Sequence, residues 1–131
     1  PDGNVALVGR MHRPNGIGLS PDEKTLYVAS SDMAQKFWMR FAVQDDLCLD
    51  EGEIFFDARD IADPGVPDGF AVDSAGNVWA SGPGGLVVIS PDGIHLGTVR
   101  TPEQPANVTF DADEQHVFLT ARSGLYRLRL R

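Results

Sequence analysis

One pattern is written three times along the chain: PNGIGLSPDEKTLYVAS from Pro14, PDGFAVDSAGNVWAS from Pro67 and PANVTFDADEQHVFLTA from Pro105. The first and third copies align without a gap, and the second lacks one residue in its turn. Repetition of this kind constrains a fold strongly, because each unit must bury its apolar face against neighbours of the same design. Each copy opens on Pro and continues with an apolar/small/apolar triplet: Ile17-Gly18-Leu19, Phe70-Ala71-Val72 and Val108-Thr109-Phe110. That is the period-2 alternation of a strand, with a small residue where one face is crowded. The turns SPDEK, DSAGN and DADEQ follow, and then a second β-rich run over residues 25–29, 78–80 and 117–120, so each copy predicts a β-hairpin.

Further strands are expected over residues 36–43 and 53–57 after the first hairpin, 86–90 and 97–100 after the second, and 125–130 after the third. The copies start near positions 14, 67 and 105, spacings that bracket the roughly 40 to 50 residues of a four-stranded propeller blade. The fold class is therefore all-β, with antiparallel four-stranded β-propeller blades filling residues 1–131. Such rings close with about 4 to 8 blades. Three blades are half of a six-bladed ring, and open blade edges give a route to self-association. The chain also begins with Pro1 and not Met, and it is expected to belong to a longer protein whose N-terminal blades are absent here. In that protein the last blade would take its outer strand from the N-terminal region, around Asn4 to Val8.

Nineteen acidic side chains against eleven basic ones leave a net charge of −8, a field that repels nucleic acid and anionic membrane surfaces. No apolar run approaches the roughly 20 residues that span a bilayer. A single cysteine, Cys48, excludes an internal disulfide and leaves the compartment open, cytoplasmic or exported.

In a propeller the first strand of each blade lines the central channel, so residues at its entry gather at one mouth. Asn15 and Asp68 hold the same place in consecutive copies, Ala106 fills the third, and Asn107 stands beside it. Amide and carboxylate oxygens suit hard divalent cations, calcium first, with magnesium or manganese as alternatives. Pro-Asn-Gly and Pro-Asp-Gly are also ordinary turn tripeptides, with Pro fixing φ and Gly accepting a positive one, so a turn role stays open. Met11 and His12 precede the Asn15 turn and are candidates for the channel rim. His95 and His116 show no metal-binding spacing and read as surface or packing residues. No G-x-S-x-G elbow is present, and the acids around Cys48 raise a thiol pKa rather than lower it. The aromatics Tyr27, Phe37, Trp38, Phe41, Trp79 and Phe118 fall within expected strands and read as inter-blade packing.

Arg13-Pro14-Asn15-Gly16 leading into LSPDEKTLYVAS, followed by VPDGFAVDSAGNVWASGPGGLVVISPDG, resembles the C-terminal half of the gluconolactonase and regucalcin (senescence-marker) family, from about Val8 to Leu130. The resemblance implies a six-bladed propeller with a divalent metal, calcium or zinc among them, in its channel, and hydrolysis of sugar lactones. It further implies that Asn15 and Asp68 are metal ligands and that Asp68 also activates water. The family's glutamate ligand and its substrate-contacting Arg and Asn residues belong to earlier blades and have no counterpart in this sequence. The alternative is a non-enzymatic propeller that binds calcium or another ligand, since folds do not fix functions.

Overall fold

The repeated turn chemistry organises the structure. In the computed structural model, which describes residues 3–131, Ser20 donates its N–H to the Thr25 carbonyl (2.8 Å), and its hydroxyl oxygen accepts the Thr25 N–H (3.0 Å). Asp73 and Asp111 play the same part, each carboxylate accepting the N–H of the returning strand at Asn77 and His116. The second turn closes one residue earlier, as the shorter copy requires. Its fourth position is Gly76, at φ 86°, whereas the corresponding Glu23 and Glu114 hold left-handed conformations at φ 59° and 51°.

Eleven strands result, with no helix among the described residues. The first sheet is a meander of β1 (Pro14–Leu19), β2 (Thr25–Ser30), β3 (Phe37–Ala42) and β4 (Glu53–Asp57). The second repeats it with β5 (Phe70–Val72), β6 (Val78–Gly82), β7 (Gly85–Ile89) and β8 (His95–Val99). The third holds β9 (Pro105–Phe110), β10 (His116–Ala121) and β11 (Gly124–Arg129). All pairings are antiparallel, and the opening strands β1, β5 and β9 stand side by side.

Burial follows from the number of neighbours each sheet has. The middle sheet is covered on both sides, and every residue of β7 is buried. The outer sheets alternate: in β10 Val117, Leu119 and Ala121 face the core, while Phe118 lies 43% exposed on the open face. Tyr27 and Trp38 are buried against Phe55 and Phe56 of their own sheet, Trp38 also reaches Gly82 of the second sheet, and Phe118 takes no part in packing between blades. Trp79 meets Phe110 edge-on across the second and third sheets, at 5.8 Å.

The third sheet has three strands. Residues 4–8 form no strand here, and Leu7 and Val8 lie with Ile17, Val28 and Phe41 at the apolar open face of the first sheet.

Candidate functional site

Asn15 and Asp68 meet. Asn15 is the second residue of β1, entered through Arg13 at φ 44° and Pro14, and its side-chain amide faces the Asp68 carboxylate closely enough to favour the charged form. The close approach depends on Gly16, because a Cβ there would run into the Asp68 carbonyl oxygen and stand 2.8 Å from the Phe70 ring.

Asp68 itself sits where the three sheets come together. The Ser31 hydroxyl, just past β2, donates to the Pro67 carbonyl (2.6 Å). The Asp68 N–H donates to the Ser81 carbonyl at the end of β6 (3.0 Å), and the Ser81 N–H to the Gly69 carbonyl (2.9 Å). The Gly69 N–H donates to the Ala106 carbonyl on β9 (2.8 Å). Residues 67–69 are thus fixed to all three sheets through their main-chain groups.

Burial pushes the Asp68 carboxyl above its ordinary value of 3.8, against the opposing pull of hydrogen bonds from the Gly69 N–H and the Asn15 amide. A carboxylate held this way accepts a proton more readily than a solvated one. Its Asn15 partner spends an N–H on the contact and keeps a carbonyl oxygen, so the pair presents two hard oxygen donors. Their chemistry fits a divalent cation, which in the case of calcium takes 6 to 8 oxygens. Among the described residues no three His, Cys, Asp or Glu side chains come together to hold a metal ion.

The other candidates are placed as follows. Asn107 is exposed on β9, its Oδ1 accepting the N–H of Val108 (2.9 Å), and its side chain abuts the Cα of Gly69 so closely that a Cβ on Gly69 would collide with it. His12 is 72% exposed with Nδ1 3.6 Å from Asp32 Oδ2. Met11 is half-buried and lines the apolar hollow on the open face of the first sheet. His95 stacks on Phe56, and His116 is bonded to Asp111 (2.7 Å). The Cys48 thiol is exposed and raised by its hydrogen bond to Asp46. Gly82-Pro83-Gly84-Gly85 forms the two-residue β6–β7 turn, with Gly84 at φ 82°.

Ser31, Asp32 and Ser81 were not singled out from the sequence. The trace they left is small: a Ser-Ser-Asp run closing an otherwise apolar strand. Ser81 also carries a fully buried hydroxyl with no hydrogen-bond partner. A larger cleft of about 840 Å³, lined by Tyr27, Arg40, Glu53 and Pro91 among others, opens at the opposite end of the strands, where Arg40 is neutralised by Glu53.

Residues 2–123 match the SMP-30/gluconolactonase/LRE-like region. The chain belongs to that family. A gluconolactonase of Zymomonas mobilis is 36% identical over 98% of the chain and 38% of its own length. The pentonolactonase XacC of Haloferax volcanii is 32% identical over 94% of the chain and 43% of its own length. Among solved structures, a gluconolactonase from Xanthomonas campestris superposes on the whole chain and on 42% of its own length, with a TM-score of 0.89 at 36% identity. Regucalcin from Agrobacterium tumefaciens, described as a calcium-binding protein, covers 83% of the chain and is itself covered over 38% of its length, with a TM-score of 0.70 at 28% identity. The chain thus spans about two fifths of the family members it matches.

Proposed function

We propose that this chain supplies half of the site of a metal-dependent hydrolase of sugar lactones, with Asn15 and Asp68 as metal ligands and Asp68 as the group that activates water. The observation that carries the reading is the Asp68 carboxyl, raised by burial, faced by the Asn15 amide and rigidly held where the three sheets meet. Lactonase names on two relatives that match nearly the whole chain support the substrate class. The three sheets, with repeats starting near 14, 67 and 105, would form half of a six-bladed propeller. The open faces of the first and third sheets would seat the remaining blades, and with them the glutamate ligand and the substrate-contacting residues.

When bound, a divalent cation, calcium first among the candidates, supplies Lewis-acid polarisation of the lactone carbonyl. Asp68 takes a proton from the attacking water, and its raised proton affinity suits it to hold that proton as the ring opens to the hydroxy acid. Asn15 keeps the Asp68 carboxylate in one orientation. The calcium-binding description of the regucalcin neighbour favours a second reading, a propeller that binds cation without turnover.

The test uses the protein that carries this chain at full length. Asp68→Ala is expected to lower kcat/KM for gluconolactone about a hundred- to ten-thousand-fold while the far-ultraviolet circular dichroism stays unchanged. Retained turnover would remove Asp68 from the mechanism. Calcium binding without hydrolysis in the wild type would select the second reading.

A further inference from the structure

We infer that His12, oriented by Asp32, contacts the substrate at the rim of the Asp68 site, its Nε2 hydrogen-bonding a hydroxyl of the lactone; this rests on the lactonase reading above. The serines at the end of β2 tie the two places together. The Ser30 hydroxyl donates to the His12 carbonyl (3.0 Å) and the Ser31 N–H to the Arg13 carbonyl (3.0 Å). The same Ser31 donates its hydroxyl to the Pro67 carbonyl, one residue from Asp68. His12 and Asp68 therefore hang on one Ser-Ser pair, and three residues beyond His12 the chain delivers Asn15 to the Asp68 carboxylate.

Asp32 is built to hold an imidazole. Its N–H reaches the Ser30 hydroxyl (3.4 Å) and its Oδ1 accepts the Ala34 N–H (2.8 Å), which leaves Oδ2 facing His12 Nδ1 at 3.6 Å. The two ring nitrogens diverge, so an imidazole whose Nδ1 faces Asp32 turns Nε2 outward, and His12 is 72% exposed against 23% for Asp32. A contact this long and this open adds little to folding. What it provides is a ring with one edge facing a carboxylate and one polar edge unspent. That edge suits an uncharged, hydroxyl-rich molecule, which an imidazole can address as donor or acceptor. Asp32 is a positioning residue and acts through His12.

Steady-state kinetics on the full-length protein with gluconolactone, together with thermal melting, test this. His12→Ala is expected to raise KM about tenfold, the loss of one hydrogen bond, with kcat changed less than about threefold and the melting temperature unmoved. His12→Gln should fall between His12→Ala and the wild type. Asp32→Asn should raise KM more modestly, and should add nothing in the His12→Ala background. An active enzyme whose KM is unchanged by His12→Ala and His12→Gln overturns the inference and spares the lactonase reading. So does an Asp32→Asn effect that persists without His12. A wild type that hydrolyses no lactone overturns the lactonase reading first and this inference with it.

Discussion

A half-buried carboxyl beside an amide makes Asp68 a group whose usefulness and stability pull in opposite directions. Its folded pKa lies above the ordinary 3.8, chiefly through burial. Below 3.8 the group is protonated in both folded and unfolded chains, and its contribution to stability is fully present. As pH rises through the folded value that contribution is lost, because the unfolded chain ionises more easily. Asp68→Asn should therefore gain stability relative to the wild type as pH climbs from below 3.8 toward neutrality, while turnover is lost. Asp22, Asp57 and Asp111 are shifted the other way by hydrogen bonds from Ser20, Arg59 and His116, and their contributions fade as pH falls through their folded values. They are common to both proteins and cancel in the difference. Urea unfolding at a series of pH values checks this, and parallel curves for the two proteins would mean that burial of Asp68 is not a cost.

The meeting of Asn15 with Asp68 was legible at this scale, since equal places in aligned copies converge when the copies pack around one axis. The Ser31, Asp32 and Ser81 contacts were not. Ser31 reaches the Pro67 carbonyl of the next copy, Asp32 faces His12 some twenty residues back, and Ser81 bonds the main chain of Asp68 and Gly69, and no local period marks such partners.

At the scale of the element, the strands followed from alternation and turn residues, because both are short-range signals. The same signals misplaced only what depends on neighbours. β8 begins at His95, two residues before its expected start, and residues 4–8 make no strand, Leu7 and Val8 lying instead against the first sheet while the outer edge of β11 stays open. The turns also reveal strain that the sequence hides. Glu23 occupies the left-handed position that glycine takes in the second turn, at φ 59° against 86° for Gly76. A non-glycine residue there costs roughly 1 to 2 kcal/mol. Glu23→Gly is thus expected to stabilise the fold by about 1 kcal/mol, less whatever entropy glycine adds to the unfolded chain. A lower denaturant midpoint for the variant would refute it. Glu114 is the wrong place to try the same change, because its carboxylate accepts the N–H and hydroxyl of Ser74 from the neighbouring turn (2.8 and 2.6 Å).

Across the whole molecule the three sheets are unequal. The middle one is enclosed, with Val78, Ala80, Leu86, Val87 and Ile89 buried, and each outer one turns a face to solvent on which Ile17, Leu19, Phe118 and Leu125 stand exposed. Protection against hydrogen exchange should follow that gradient, slowest in β6 and β7 and fastest in β1 and β11, as read by mass spectrometry on the 131-residue chain. Uniform protection would show that the sheets open as a single unit.

The peptide stretch 67–69 has a place of its own in that hierarchy. Its Asp68 and Gly69 amides and the carbonyls of Pro67 and Gly69 are spent on partners from three different sheets, so no single sheet can peel away without breaking a bond to the stretch. Warming should therefore loosen the His12 rim well before it disturbs the carboxylate. An enzyme built this way would become less choosy before it became slower, with the ratio of its rates on good and poor substrates falling while turnover of the better one held.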